Sequence, residues 1–246
     1  MIYLYNAIFY TLFIIYSAVF IPMFTVIIVV YSIFAGKRKG MALFRKTIIL
    51  YGRGIIYILA RYFVRVTYKD LSGDKKGPFI YIANHNSSSD PFLMAVLWGE
   101  IVQVVNTWPF KLPVLGFFAR NAGYLNVRSM PFTLFLKKCQ NFIRQGVSLI
   151  GFPEGTRSVT GDMGPFHGAM FRVALETGVK VSPLCILGNL DKPPKGSLLI
   201  HPGTIEVHRL PSINSEEYQH MGPYKFKTHV RQLMKDYIQK QQGNSS

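Results

Sequence analysis

The first 36 residues, Met1 to Gly36, contain no charged side chain and run through Ile, Val, Leu, Phe and Tyr with one proline, Pro22. Such a block is long enough to cross a bilayer, which takes about 20 apolar residues. It lacks a basic start and is too long for a cleavable leader. Two arrangements fit it. One is a single tilted span. The other breaks at Pro22 into helices over 3–20 and 23–35. The second of these would be about 20 Å long, short of a hydrocarbon core of about 30 Å. That length favours a shallow hairpin dipping into one leaflet.

Lys37-Arg38-Lys39 follows at once, where basic residues meet cytoplasmic headgroups. On a helical wheel through the next segment, Lys46, Arg53, Arg61 and Arg65 fall within about 120° of one another, and Arg45 lies off that stripe. The pattern predicts an interfacial helix with a basic face. Tyr62 to Tyr68 alternates and reads as a first strand, in which case Arg65 belongs to the sheet. The net charge is +16, and nine of the 28 basic residues precede Asp70 with no acid among them. This balance suits an anionic partner. The charge-free block beside it favours an anionic membrane surface over nucleic acid, for which no recognition motif is present.

From Pro78 the chain alternates between strand and helix. Strands are expected over 79–83, 101–105, 124–127, 147–152 and 179–187, with a late hairpin over 198–201 and 204–208. Helices are expected over 91–98, 110–120, 131–145, 167–177 and 224–241. The fold class is α/β: a mixed, largely parallel sheet flanked by helices, with the N-terminal apolar helical segment associating with membrane. The chain divides into a membrane-associating helical region over 1–61, an α/β domain over 62–242 and a disordered tail over 243–246.

In such sheets sites form beyond the C-terminal ends of the strands. Three polar loops lie there: Asn84 to Asp90, Arg128-Ser129, and Pro153 to Ser158. His85 and Asp90 are five residues apart, so one tight turn can set the carboxylate against the imidazole and make His85 a general base. Asp90 before Pro91 also reads as a helix start. Ser87, Ser88 and Ser89 lack the turn that activates a serine nucleophile and read as polar loop groups. Cys139 and Cys185 have no metal-type or disulfide spacing. His167, His201, His208, His220 and His229 show no ligand spacing either, and no metal is expected. No phosphate loop or dinucleotide fingerprint is present.

Phe152-Pro153-Glu154-Gly155-Thr156-Arg157-Ser158, taken with His85-x4-Asp90, resembles the glycerolipid acyltransferase family, and most closely its bacterial-type 1-acyl-sn-glycerol-3-phosphate acyltransferases. The resemblance covers roughly 79–187. It includes Lys111 in a Lys-x-Pro-x-x-Gly stretch, Gly123 to Arg128, and a Val181-Ser182-Pro183 strand. Asn126-Val127 departs modestly from the family pattern.

The resemblance implies acyl transfer from acyl-CoA or acyl carrier protein to the sn-2 hydroxyl of lysophosphatidic acid, giving phosphatidic acid with no further cofactor. His85 would take the hydroxyl proton and Asp90 would hold His85. Arg157 would grip the phosphate as a bidentate fork, with Lys111 and Arg128 as further phosphate contacts. Gly155 would allow close backbone approach, and Thr156 and Ser158 would offer hydroxyls. Glu154 would orient Arg157 or hold a substrate hydroxyl. Backbone amides after His85 are candidates for the oxyanion. A bacterial plasma (inner) membrane, with the site on its cytoplasmic face, is the implied location. The rival readings are an acyltransferase for another acceptor, such as glycerol-3-phosphate, and a basic membrane-binding protein without catalysis.

Overall fold

The computed structural model describes residues 1–74, 76–111 and 113–243. The apolar block forms one helix, α1 (Ile2–Ala35), with Pro22 inside it. The expected break at Pro22 is therefore absent. Proline removes one amide donor, and in a long apolar helix the rest of the ladder carries the chain through. Among the described residues α1 is the one helix long and apolar enough to cross a membrane, and 6% of its most apolar 18-residue window is buried.

Gly36, at a φ of 86°, turns the chain into α2 (Lys37–Gly54), which returns along α1. The hairpin thus pairs α1 with α2, instead of two halves of the apolar block. A Cβ at Gly40 would overlap the Ser32 side chain, and one at Gly54 would overlap the Tyr16 ring, so both glycines permit the close approach. Tyr16 stacks on Tyr51 at 5.3 Å. A π-helical turn (Ile55–Leu59) ends the element.

The basic stripe does not form as expected. Arg53 donates to the Ala95 and Val96 carbonyls at 2.9 and 3.3 Å and lies 3.4 Å over the Trp98 ring. Arg61 falls beyond the helix, and Arg65 lies in a strand. Arg45, off the stripe, is buried and binds Glu100 at 2.9 Å and the Ala122 carbonyl at 3.0 Å. It pins α2 to the body.

Seven strands follow: β1 (Val64–Asp70), β2 (Ile80–Ala83), β3 (Ile101–Val105), β4 (Leu125–Asn126), β5 (Ser148–Gly151), β6 (Val181–Leu187) and β7 (Gly203–Arg209). Their order is β1-β7-β6-β2-β5-β3-β4. Every neighbouring pair is parallel except β6 with β7. Central β2 is apolar on both faces, as a covered parallel strand must be. Ile80 and Ile82 face one core with Phe135, Phe171, Phe226 and Met234. Tyr81 and Ala83 face the other, with Ile56, Leu93, Met94 and Leu97.

The first core is covered by α6 (Phe132–Arg144), α7 (Ala169–Thr177), α8 (Ser215–Tyr218) and α9 (Pro223–Gly243). The second is covered by the end of α2, by the short α3 (Asp90–Leu93) and by the 3-10 turn Met94–Val96. The helix expected over 91–98 is thus two short turns. The one expected over 110–120 is α4 (Trp108–Lys111) and α5 (Pro113–Ala122).

Of the late hairpin only β7 forms. The segment 198–201 instead bonds to α1 through Ile200. Cys139 and Cys185 are free and buried, and burial pushes the Cys139 thiol up to about 12. Gly243 closes α9, and residues 244–246 of the expected tail lie outside the described residues.

Removing one partner of a buried ion pair leaves the other poorly solvated, at a cost of about 3 kcal/mol. Arg45→Ala should lower unfolding stability by about that amount in detergent, and a change below about 0.5 kcal/mol would show that α2 is held by apolar packing alone.

Candidate active site

Strands β2 to β6 all run in one direction, so their C-terminal ends share one rim. The chain leaves β2 through Asn84 and turns tightly before α3. Asp90 Oδ2 accepts hydrogen bonds from His85 Nδ1 at 2.8 Å, Asn86 N at 2.8 Å and Ser87 N at 2.9 Å. Its Oδ1 accepts Asn189 Nδ2 at 2.7 Å. This carboxylate is fully buried. A proton on His85 Nδ1 directed at a carboxylate leaves Nε2 as the basic nitrogen. Nε2 has no partner among the described residues, and His85 borders both cavities described below.

The loop after β5 locks the His85 backbone. Glu154 Oε1 accepts the His85 amide at 2.8 Å, and the Ser158 amide donates to the His85 carbonyl at 2.8 Å. Glu154 Oε2 accepts the Gly164 amide at 2.9 Å. Glu154 therefore neither orients Arg157 nor faces a substrate. Both its oxygens are taken by backbone, and it joins two loops. Ser158 likewise serves the backbone, with Oγ accepting the Gly161 amide at 3.0 Å. The amides of Asn86 and Ser87 are used on Asp90, so they are not free for an oxyanion. The Phe152 ring lies 4.6 Å from the His85 ring and limits its swing.

Two cavities meet at His85. One, about 450 Å³, has apolar walls from Phe20, Phe24 and Ile28 of α1 and Phe44 and Ile48 of α2, and it also touches Thr156, Arg157 and Lys195. The other, about 390 Å³, is bordered by Asn106, Arg128, Gly155 and His167. Gly155 borders both at a φ of +69°, and a Cβ there would meet the His167 ring at 3.0 Å. Any side chain at that position is strained and crowded.

The side chains of Arg128 and Arg157 have no hydrogen-bond or ion-pair partner among the described residues. Arg157 borders the first cavity and Arg128 the second, and His85 borders both. Thr156 Oγ1 accepts Lys195 Nζ at 3.1 Å. Lys111 is exposed at the end of α4 and borders neither cavity. The arrangement offers a held base, an apolar channel and two unpaired cations.

A family profile described as Acyltransferase matches residues 64–187, half of the chain. The chain belongs to the acyltransferase family. It is similar to a chloroplastic 1-acyl-sn-glycerol-3-phosphate acyltransferase of Brassica napus, 34% identical over 123 residues that make up 49% of this chain and 36% of the relative. A 1-acyl-sn-glycerol-3-phosphate acyltransferase of Salmonella typhimurium is 27% identical over 175 residues, 69% of this chain and 71% of the relative. This chain spans only 36% to 45% of the length of three plant and algal relatives. The crystal structure of the 1-acyl-sn-glycerophosphate acyltransferase PlsC from Thermotoga maritima aligns with a TM-score of 0.79 over 98% of both chains, at 21% identity. That likeness establishes the fold.

The acyltransferase sheet thus brings together His85, Asp90, Arg128, Gly155, Thr156 and Arg157 and leaves Lys111 outside. Sequence reasoning missed Asn84, Asn106, Asn189, Lys195 and His167. Asn84 exchanges both amide bonds with the Ile186 backbone, at 2.9 and 2.7 Å. Asn106 Nδ2 donates to the Gly155 carbonyl at 2.8 Å. Asn106 and Asn189 follow the ends of β3 and β6, so taking all five parallel strands, not three, would have found them. No spacing marks His167 or Lys195.

Burial pushes the Glu154 carboxyl above its ordinary value of 4.5, while the Gly164 and His85 amides and the His85 charge pull it back. The folded chain therefore binds this proton more tightly than the unfolded one. Its contribution to stability is full below the unfolded value and is lost as pH rises through the folded value. Glu154→Gln removes that titration and cannot accept from both amides. We expect kcat to fall about tenfold or more. The melting-temperature gap between wild type and variant should widen as pH is lowered from neutral toward 4.5. A gap that narrows would refute the assignment.

Proposed function

We propose that this acyltransferase moves a fatty acyl group from a thioester to the sn-2 hydroxyl of 1-acyl-glycerol-3-phosphate, giving phosphatidic acid. The observation that carries the reading is the free Nε2 of a His85 held by buried Asp90, at the junction of an apolar cavity and two unpaired arginines. The names of the curated relatives support the acceptor.

In the proposed reaction the acceptor hydroxyl donates its proton to His85 Nε2 as its oxygen attacks the thioester carbonyl. Asp90 stabilises the imidazolium that forms. The tetrahedral intermediate collapses, the carbon–sulfur bond breaks, and the departing thiolate takes the proton from Nε2. The base ends as it began, and no acyl-enzyme forms. Ser87 agrees with this: its Oγ donates to the Lys192 carbonyl at 2.6 Å and accepts from the Ser89 amide at 3.1 Å and from Ser89 Oγ at 2.9 Å, which occupies its proton and both lone pairs.

The apolar cavity suits the acyl chain, and Arg157 and Arg128 suit the phosphate. Acyl-CoA or acyl carrier protein would supply the acyl group as co-substrate. The uncovered apolar surface of α1 suits a lipid leaflet, so that substrate and product need not enter water. A plasma membrane, with the site on its cytoplasmic face, is the proposed location.

The test is transfer of labelled acyl groups in vesicles, with acyl-CoA and acyl carrier protein offered separately and glycerol-3-phosphate as rival acceptor. Labelled phosphatidic acid is expected from 1-acyl-glycerol-3-phosphate alone. Arg157→Lys loses the planar fork and should raise the acceptor KM about tenfold while changing kcat little. Transfer only to glycerol-3-phosphate would reassign the acceptor, and an unchanged KM would remove Arg157 from the phosphate site.

A further inference from the structure

Residues 188–201 connect two features that the proposed reaction leaves unrelated. At one end is Asn189, 1% exposed. Its Nδ2 is the one donor on Asp90 Oδ1 among the described residues, at 2.7 Å, and its Oδ1 accepts Asn86 Nδ2 at 3.1 Å. Without it a buried carboxylate oxygen would stand unpaired, which is costly. Nothing would then fix the roll of the carboxylate that presents Oδ2 to His85.

At the other end is Asn6. It is the only amide or charged side chain before Lys37, and it is 6% exposed in a helix otherwise largely uncovered. Its Nδ2 donates to the Ile200 carbonyl at 3.0 Å, and its Oδ1 accepts the Ile200 amide at 2.8 Å. Tyr10 donates its hydroxyl proton to the Leu198 carbonyl. An amide in an apolar helix is unfavourable in lipid unless paired, so this two-point match fixes the seat of α1 on the body.

Between the two ends the segment is braced. The Lys192 amide donates to the Asn189 carbonyl at 3.1 Å, and the His201 amide to the Asp191 carbonyl at 3.1 Å. Ser87 of the histidine loop donates to the Lys192 carbonyl, and Lys195 reaches Thr156.

We infer that residues 188–201 are a strap coupling the seating of α1 to the His85–Asp90 pair, with Asn189 as a positioning residue at one end and Asn6 as the anchor at the other. The inference rests on the proposed role of His85 for its kinetic consequence. When Asn6 releases Ile200, the strap loosens, Asn189 withdraws from Asp90, and turnover falls while α1 itself keeps its apolar surface. Full activity therefore requires α1 to be docked on the body as well as present.

The test uses the full chain in vesicles with three variants: Asn6→Leu, Asn189→Leu and the double substitution. Leucine keeps the branched shape of asparagine and removes only its polar atoms, so α1 stays at least as apolar and vesicle flotation should match wild type. Each single variant should lose about tenfold in kcat with the acceptor KM within about twofold. The double variant should lose no more than Asn189→Leu alone, because both act through one contact. Multiplying losses would show two independent structural effects and overturn the strap.

A second readout does not depend on the substrate. The Asn86 and Ser87 amides are held by Asp90, so their hydrogen exchange should quicken about tenfold in Asn6→Leu while Ile82, in the centre of the sheet, stays protected. Unchanged exchange at Asn86 and Ser87 would overturn the coupling whatever the acceptor proves to be. Altered exchange with no acyl transfer in wild type would instead put the fault in the proposed reaction.

Discussion

The structure turns on one buried carboxylate. Asp90, which has no exposure to solvent, accepts four hydrogen bonds: one from the His85 imidazole, two from the backbone amides of its own loop, and one from Asn189. An unpaired buried carboxylate would be strongly unfavourable, so the loop must close around it. That closure folds Asn84 to Asp90 into the tight turn that points His85 at the cavities. The same four bonds therefore stabilise the loop, set the tautomer and hold the base.

Around this centre the two motifs prove to be one unit. The His85 backbone is bonded on both sides by the loop after β5, through Glu154 and Ser158. The polar chemistry of that loop divides by depth. Buried Glu154 braces backbone, while Arg157 remains unpartnered at the cavity. The N-terminal hairpin completes the site from the other side, since α1 and α2 supply the apolar walls of the larger cavity. The long apolar helix and the walls of that cavity thus belong to the same pair of helices.

Much of this was legible from residue pattern. The strand over 101–105 lies where the apolar run predicts it, and the rim beyond the parallel strands gathers the histidine, arginine and glycine loops as expected. What was not legible depended on long-range partners. Arg45 was placed only as lying off the basic stripe, because Glu100 is 55 residues away and the fold alone brings them to 2.9 Å. The wheel that made a stripe of Lys46, Arg53, Arg61 and Arg65 assumed one continuous helix, which the π turn ends. Pro22 was read as a break because local rules ignore the support that α2 gives to α1. Glu154 was expected to orient Arg157 or hold a substrate hydroxyl because its two amide donors, His85 and Gly164, cannot be deduced from spacing.

The central claim is that His85 removes the acceptor's proton in a direct transfer. Its most direct test is the single-turnover rate of acyl transfer by His85→Ala with both substrates saturating, in a folded, vesicle-bound sample. The account predicts a loss of about a thousandfold, with both substrates still bound and no acylated protein detectable by mass spectrometry. A rate within about tenfold of wild type, or a covalent acyl-enzyme in the wild type, would contradict it.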